Sequence, residues 1–368
     1  MHVTIASGPA VLGAPLELPV RALTGLVYGS IRGVAHVVGA SIDAVLARCE
    51  ALLGASAPGP ERAAVLAALN GVIGDYLTET GNPLAITMGL VHDGQPLDVE
   101  PASLRAAFPD ARRKLLVMVH GSSMDEAAWR RGGGDRGAEL ASALGATAIS
   151  LRYNSGLHIS RSGRAFADLL ERAVSAWPVP VEQIVIVGHS MGGLVARSAC
   201  HAAEASGHAW RAKLTKLACL GSPHHGAPLE RGGNVIDRAL GVSRYTAPLS
   251  QLGKLRSAGV TDMRHGNVLD EHWHGRDRFA HGDDFRTRLV LPEGVDCYAM
   301  AATMTPAPRK RLRGDGLVTV ASALGRHDKS ELALGFPKEH QWIGYGMAHL
   351  DLLSRPEVYE KLRSWLSS

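Results

Sequence analysis

Short apolar runs that end in glycine-rich or polar turns mark most of the chain after residue 83. Five of them lie at 114–119, 184–188, 214–220, 295–302 and 341–345. Runs of this length that are mostly apolar are typical of strands that are buried on both faces, as in a parallel sheet covered by helices. The pattern therefore predicts an α/β fold with a mostly parallel central sheet flanked by helices.

The sequence before residue 83 has a helical pattern instead. Apolar residues recur at spacings of three and four over 21–53, which predicts a long amphipathic helix, and a second helix is predicted over 61–77. These helices define an N-terminal region, 1–82, which we expect to pack on the remaining domain, 83–368, or to cover its site. A membrane-surface helix is the alternative, although the polar face of the first helix carries only Arg21, Arg32 and Arg48.

The run at 184–188 leads into Gly-His-Ser-Met-Gly and then into a helical segment, which places Ser190 at a sharp bend. Glycine on both sides of such a bend leaves room for neighbouring backbone, and the serine hydroxyl then stands clear of the sheet edge. The following helix directs its N-terminal amides toward the same point. A Gly-x-Ser-x-Gly match alone is weak, but the flanking strand and helix make Ser190 the candidate nucleophile.

A serine nucleophile needs hydrogen-bond donors for a developing oxyanion, and two backbone amides suit that role. One belongs to Met191, the residue after the candidate nucleophile. The other is expected in the His-Gly-Ser-Ser loop after the run at 114–119, where Ser122 is the first choice and Ser123 the second. A simple turn at His-Gly is the alternative interpretation.

The candidate acid lies in the segment Arg-Gly-Asp-Gly-Leu-Val, which follows the run at 295–302. Asp315 stands where a catalytic carboxylate should emerge after a late strand, between the other two candidates along the chain. An aspartate between two glycines is also a common turn residue without a chemical role. Asp296 is the second candidate for the acid.

Three histidines follow Asp315 and could supply the base: His327, His340 and His349. His327 falls in a charged loop, and His340 stands at the start of the last strand-like run, where a structural role is expected. His349 follows that run in a short loop before the final helix, which makes it the candidate base. The alternative for His349 is a helix-capping or core histidine.

Five motifs together resemble the lipase and esterase branch of the α/β-hydrolase superfamily, including bacterial triacylglycerol-lipase-like proteins and the GPI-inositol-deacylase-like group. They are VHGSS at 119–123, GHSMGG at 188–193, GSPHHGAP at 221–228, GDGLV at 314–318 and MAHLDLL at 347–353. The resemblance implies an α/β-hydrolase fold in which the third motif shapes the acyl pocket. The residues assigned to substrate binding on this basis are His120, Gly121, Ser123, His189, Pro223 and His224.

The resemblance also implies a serine hydrolase that cleaves carboxylic esters, as an esterase or lipase, through an acyl-enzyme on Ser190. We expect a small-molecule or lipid ester as substrate, and no cofactor and no metal. An acyltransferase with the same triad, a membrane-associated lipid-remodelling deacylase and a non-catalytic binding protein are the alternatives. The insertion at about 229–289 falls where such lipases carry a lid or cap, and lids control access of the substrate.

That insertion is rich in histidine and acidic residues. Its members are His265, His272, His274 and His281, together with Asp270, Glu271, Asp277, Asp283 and Asp284. Their spacing matches no strong zinc signature, so solvated loop charges are the preferred interpretation, and a structural metal site is the alternative.

Composition limits the partners and the compartment. A formal net charge of +4, with acids and bases interspersed, gives no reason to expect a nucleic acid. The cysteines show no C-x-x-C spacing and lie in apolar surroundings, so we expect reduced core thiols at Cys49, Cys200, Cys219 and Cys297. Without a recognisable signal peptide, membrane span or disulfide, a cytoplasmic location is expected, with weak membrane-surface association as an option. The oligomeric state is left open.

Overall fold

The computed structural model describes residues 59–227, 257–276, 284, 286–308 and 312–367. The helix predicted over 21–53 lies outside the described residues, as do Cys49, His281, Asp277, Asp283 and much of the predicted insertion.

Eight strands form one sheet. They are β1 (Gly89–His92), β2 (Gln95–Leu97), β3 (Lys114–Val119), β4 (Thr147–Arg152), β5 (Gln183–His189), β6 (Leu214–Leu220), β7 (Asp296–Thr303) and β8 (Gln341–Tyr345). Their order across the sheet is β2-β1-β4-β3-β5-β6-β7-β8. β1 runs antiparallel to β2 and β4, and the pairs from β4 to β8 are parallel. The predicted mostly parallel α/β sheet is therefore confirmed.

Helices cover both faces of this sheet. In the described residues they are α1 (Pro60–Glu79), α2 (Pro101–Ala107), α3 (Arg136–Leu144), α4 (Ile159–Ala176), α5 (Met191–Ser206), α6 (Ala258–Asp262), α7 (Val320–Ala323) and α8 (Pro356–Ser367). The helix predicted over 61–77 is confirmed by α1. Among the helices of this part of the chain, none combines the length and the apolar character that a bilayer crossing requires.

Strand β3 shows why the central runs are apolar throughout. Leu115 and Val117 pack into the cluster formed with α4 and α5, whereas Leu116 and Met118 pack into the cluster formed with α3 and α8. Alternate side chains of a strand point to opposite faces, so both sets must be apolar when both faces are covered. Each fully buried side chain of this kind contributes about 1.5–3 kcal/mol.

Helix α1 approaches the loops after β3 and β4 closely. A Cβ on Gly71 would lie 2.0 Å from Ser123 Oγ, and one on Gly74 would lie 1.9 Å from Asn154 Oδ1. The Asn154 amide also donates a 2.8 Å hydrogen bond to the Gly74 carbonyl. The described part of the predicted N-terminal region thus packs on the sheet domain beside one candidate oxyanion loop, while the boundary between 82 and 83 stays a prediction.

Candidate active site

Ser190 lies at the turn between β5 and α5, with φ +53° and ψ −122°. This angle is unusual for a residue that is not glycine, and strain of this kind is held in place by surrounding contacts. Ser190 N–H donates to the Leu220 carbonyl at 2.8 Å, which anchors the turn to β6. A Cβ on Gly188 would lie 2.6 Å from Gly193 N, and one on Gly192 would lie 2.3 Å from Val119 O, so this backbone requires both glycines.

Asp315 lies in a tight turn after β7 and is 2% exposed. Its Oδ1 accepts hydrogen bonds from the amides of Leu317 at 3.0 Å and Val318 at 2.8 Å, which fixes the carboxylate. A Cβ on Gly314 would lie 1.8 Å from Val318 O, and Gly316 has φ +100°, so both flanking glycines are needed for the turn. The second carboxylate oxygen is left to face His349.

His349 and Asp315 form the shortest contact between the candidate side chains. His349 Nδ1 donates to Asp315 Oδ2 at 2.7 Å, and the His349 amide donates to the Asp315 carbonyl at 3.1 Å. A carboxylate only accepts hydrogen bonds, so Nδ1 carries the proton and Nε2 presents a lone pair. Among the described residues, no group makes a hydrogen bond to the buried Nε2, and Ser190 Oγ is included in that statement. Catalytic hydrogen bonds are often long in free enzymes and shorten on substrate binding.

Three short distances place His349 beside the Ser190 turn and the end of β6. The rings of His189 and His349 have centroids 4.8 Å apart. His189 Nε2 donates to the His349 carbonyl at 3.3 Å, so the residue before the candidate nucleophile contacts the candidate base. A Cβ on Gly221, at the end of β6, would lie 3.0 Å from His349 Cε1. The structure therefore brings the ends of β5, β6, β7 and β8 together around these side chains.

The loop after β3 distinguishes the two candidate oxyanion donors. Ser123, with φ +59°, donates its N–H to Ser155 Oγ at 2.9 Å and is committed to that bond. This favours Ser122 as the donor, in agreement with the order of preference from the sequence. Met191 is the first residue of α5 and is buried beside Ser190, so its amide belongs to the helix N-terminus.

The other candidates for the acid and the base lie away from the Ser190 turn. Asp296 is exposed at the start of β7, which is the opposite end of the strand from Asp315. His340 precedes β8 and packs on Tyr298 with ring centroids 4.3 Å apart, as expected for a structural histidine. His327 packs on His225, with centroids 4.9 Å apart, and lies 3.7 Å from Asp284 Oδ2. None of the three faces the Ser190 turn through a contact in the described residues.

Several residues assigned to substrate binding are buried in the free protein. His120, His189 and His224 are each at most 1% exposed, and Gly121 and Pro223 are buried as well. Ser123 is exposed. Direct contact of the three histidines with a substrate stays a prediction, because their observed contacts are with other residues of the chain.

Burial keeps two of these histidines neutral. It lowers the pKa of His120 to about 4, against an opposing hydrogen bond between Nδ1 and the Gly121 carbonyl. Burial also lowers the pKa of His189 well below its usual value, and the nearby His349 adds to that effect. Neither group carries a charge at pH 7, so neither competes with His349 for the carboxylate.

The insertion differs from the prediction of solvated charges. His272 is buried, with Nδ1 accepting from the Val268 amide at 3.2 Å and Nε2 lying 3.2 Å from Thr287 Oγ1. Asp270 accepts from Ser160 and from Arg164, both at 2.6 Å. For His272 the prediction is wrong, because its hydrogen bonds hold it in the interior, whereas the side chain of Asp270 stays 46% exposed. Among the described histidines, cysteines and acids, no group of three is placed to hold a metal ion.

Ser155 contacts the candidate oxyanion loop, and the sequence did not reveal it. Its hydroxyl accepts a hydrogen bond from the Ser123 amide, although 32 residues separate the two. The available signal was its position, because Asn154 and Ser155 are the polar residues that follow a buried strand. The described cysteines, Cys200, Cys219 and Cys297, are buried free thiols, as expected.

Comparisons with known proteins found one matching family model and several solved structures that are similar to this chain. A family model described as PGAP1-like alpha/beta domain matches residues 166–288, which include β5, α5 and β6. The mature Bacillus licheniformis lipase BlEst2 is similar in structure at 15% identity, covering 77% of this chain and 98% of that one with a TM-score of 0.45. A hyperthermophilic esterase from the archaeon Pyrobaculum calidifontis follows at 12% identity, with 93% and 97% coverage and a TM-score of 0.43.

A third similar structure is the Legionella pneumophila phospholipase PlaB, at 17% identity, with 57% and 44% coverage and a TM-score of 0.36. A comparison with curated proteins found no match to this chain. The strand order and the matched family model together show that the chain has the α/β-hydrolase fold.

Proposed function

We propose that this protein is a serine hydrolase that cleaves carboxylic esters through an acyl-enzyme on Ser190. The observation that carries the proposal is the 2.7 Å hydrogen bond from His349 Nδ1 to Asp315, beside a serine held at φ +53° on a strand-to-helix turn. This constellation supports a base in the correct tautomer and a partly exposed nucleophile at the same edge of the sheet.

In the proposed acylation step, His349 Nε2 takes the proton of Ser190 as the hydroxyl oxygen attacks the ester carbonyl. Negative charge develops on the carbonyl oxygen, and the amides of Ser122 and Met191 donate hydrogen bonds to it. Asp315 holds the imidazole in its orientation and stabilises the imidazolium that forms. Protonation of the leaving alcohol by His349 then completes the acyl-enzyme.

In the deacylation step, water takes the place of the alcohol. His349 accepts a proton from that water, the hydroxide attacks the acyl carbon, and the same two amides bind the second oxyanion. Return of the proton to Ser190 releases the carboxylic acid. An acyltransferase would follow the same path with an acceptor alcohol or thiol in place of water.

The resemblance to lipases and to the GPI-inositol-deacylase-like group supports lipid esters as the substrate class, with small esters as simple analogues. Hydrolysis of p-nitrophenyl esters from acetate to palmitate, together with a triglyceride emulsion, will define the acyl preference. Added acceptor alcohol separates the two reactions, because a transferase forms the new ester at the expense of the free acid.

An active-site phosphonate probe tests the nucleophile directly. We expect the probe to label Ser190 in the native protein and to leave Ser190→Ala unlabelled and without esterase activity. Ser206→Ala is the matched control, because Ser206 is exposed at the far end of α5, and it should retain both properties. Labelling of a different residue, or full activity in Ser190→Ala, would contradict the proposal.

A further inference from the structure

The peptide that joins Gly121 to Ser122 carries the candidate oxyanion donor of the loop after β3. A Cβ on Gly121 would lie 3.1 Å from Ser190 Cβ, so this backbone passes beside the candidate nucleophile without room for a side chain. Glycine puts few steric limits on its own backbone angles. The residue that permits the close approach therefore leaves the orientation of the following peptide to be fixed by other contacts.

The side chain of His120 makes one such contact. Its Nδ1 lies 2.8 Å from the Gly121 carbonyl oxygen, and because a carbonyl oxygen only accepts hydrogen bonds, Nδ1 carries the proton and donates it. Burial lowers the pKa of His120 to about 4, so the ring is neutral at pH 7. A neutral imidazole has a single N–H, and the backbone of this loop takes it.

This hydrogen bond also fixes the direction of the Ser122 amide. The described residues contain no cis peptide bond, and in a trans peptide the C=O and the following N–H point in opposite directions within one plane. Holding the Gly121 oxygen on one side therefore holds the Ser122 N–H on the other. A flipped peptide would present the Gly121 oxygen in place of the N–H, and its partial negative charge would repel a developing oxyanion.

Tyr153 holds the His120 ring and the His120 backbone. Tyr153 follows β4 directly, and its ring is stacked on the imidazole, with centroids 4.4 Å apart and planes inclined by 22°. Its hydroxyl donates to the His120 carbonyl at 3.0 Å. Burial raises the pKa of Tyr153 far above its ordinary value, so the hydroxyl keeps its proton. The two contacts together restrict rotation of the imidazole away from Gly121.

Helix α5 packs on the same carbonyl. A Cβ on Gly192 would lie 2.6 Å from the His120 oxygen, so the loop contacts the first turn of the helix that begins with Met191. The two candidate oxyanion donors, the amides of Ser122 and Met191, therefore belong to segments that pack against each other next to His120.

We propose that His120 is a positioning residue for ester hydrolysis, because its Nδ1–H holds the peptide of Gly121 in the orientation that presents the Ser122 amide to the oxyanion. Tyr153 supports this role by holding His120. The inference rests on the proposed function, since it assigns a role within that oxyanion site. The oxyanion forms only in the transition state, so loss of this contact should lower kcat and leave KM almost unchanged.

Hydrolysis of p-nitrophenyl butyrate by two His120 variants tests the proposal. His120→Leu fills the site without a donor, and we expect kcat to fall by about 30–300-fold while KM stays within about threefold. His120→Asn places an amide N–H near the position of Nδ1 and should keep kcat within about tenfold of the native value. His340→Leu is the matched control, because His340 also packs on a tyrosine ring, with centroids 4.3 Å apart, but precedes β8. Its kcat should stay within about threefold of native.

Titration of active sites with the phosphonate probe gives kcat per folded molecule, which separates positioning from folding. Native kcat per labelled site in His120→Leu, or an equal loss in His120→Leu and His120→Asn, would overturn the inference and leave the role of Ser190 intact. Full activity in Ser190→Ala would overturn the proposed function and the inference with it.

The Tyr153 hydroxyl is tested separately. Tyr153→Phe keeps the stacked ring and loses the hydrogen bond to the His120 carbonyl, and we expect kcat to fall by about 3–10-fold. Tyr298→Phe is the control, because its buried hydroxyl donates to the Trp365 carbonyl at 3.3 Å, away from the Ser190 turn. Equal kcat values in the two variants would contradict the role of Tyr153.

The His120 tautomer provides a measurement in the native protein that requires neither a variant nor activity. In protein with isotope-labelled histidine, nuclear magnetic resonance distinguishes the two ring nitrogens, and contacts with the Tyr153 ring identify the His120 signals. We expect the proton on Nδ1 at pH 7. A proton on Nε2 would overturn the inference, because Nδ1 would then have nothing to donate to Gly121.

Discussion

Two buried histidines of this protein have opposite hydrogen-bonding roles. His349 donates Nδ1–H to the carboxylate of Asp315 and presents a lone pair at Nε2. His224 accepts at Nδ1 from the guanidinium of Arg197 and carries its proton on Nε2. The ring partner, rather than burial, decides whether the far nitrogen can act as a base. A cationic partner at Nδ1 makes Nε2 a hydrogen-bond donor, and an anionic partner at Nδ1 makes Nε2 an acceptor.

The aspartates near these two histidines also differ in the group that they bind. Asp315 lies against the candidate base, where it would stabilise an imidazolium. Asp284 instead binds Arg286, and although burial alone would raise the pKa of Asp284, the hydrogen bonds and charge of Arg286 hold it well below the usual range. Burial lowers the pKa values of His225 and His272 to about 4, and the charge of Arg286 adds to both shifts.

The largest expected effect comes from reversing the His349 tautomer. Asp315→Asn can donate an amide hydrogen to Nδ1, which moves the ring proton to Nε2 and removes the acceptor for Ser190. We expect kcat to fall by about 10³–10⁴-fold at pH 7. Asp284→Asn, the matched change in the other region, should keep kcat within about threefold while lowering the Tm. A similar fall in kcat for both variants would break the contrast.

A smaller effect is expected from crowding the Ser190 turn. A Cβ on Gly121 would lie 3.1 Å from Ser190 Cβ and 3.0 Å from His189 Nδ1, so Gly121→Ala must displace one of them. Small displacements of reacting groups are costly, and we expect kcat to fall by about 10–100-fold. Gly89→Ala, where a Cβ meets nothing within 4 Å, is the control and should have near-native kinetics. Native kinetics in Gly121→Ala would show that the turn tolerates the strain.

Because the buried histidines are neutral in the folded protein, we expect its stability to decrease in acid. Burial lowers the pKa values of His120 and His272 to about 4, whereas an unfolded chain has about 6.5. Between these values the unfolded chain binds protons that the folded one does not, so stability is complete above pH 6.5 and falls as the pH drops toward 4. Denaturation scans should show a Tm at pH 5 lower than at pH 7 by roughly 5 °C.

His120→Asn should make that acid dependence shallower, since one of the depressed groups is removed. His201→Asn is the control, because His201 is exposed on α5. A Tm that does not change between pH 7 and pH 5 would contradict the role of burial.

The smallest effect is expected at the second-choice base. His327 packs on His225 and faces Asp284, so His327→Gln should leave kcat for a p-nitrophenyl ester within about twofold of the native value. A loss comparable to that of His349→Gln would show that the base had been assigned to the wrong loop.

Much of the fold was predictable because the relevant signals are local. The run at 114–119 is apolar on both faces because helices cover both, and this alone predicts a buried parallel strand. The turns were also predictable from the sequence, because their geometry depends on local steric limits. Gly188, Gly192 and Gly314 stand where any Cβ would meet backbone atoms, so the motifs around Ser190 and Asp315 carry their geometry in their sequence.

Contacts between distant segments were not predictable in the same way. Ser155 orients the loop at Ser123, and His189 bonds to the His349 carbonyl, yet neither partner is marked in its own local sequence. We predicted that His272 would face solvent, because a histidine among acidic residues is typical of a solvated, charged loop. Its burial depends on Val268 and Thr287, whose positions follow from the packing of the insertion.

The sequence by itself determined the strands, the turns and the order of serine, acid and histidine along the chain, because each depends on residues within a few positions of one another. The tertiary structure alone decided which histidine faces a carboxylate and which faces a guanidinium. The electrostatic environment of a side chain is set by the groups that lie near it in the folded protein. The strand order brings such groups together from segments that are distant in the sequence.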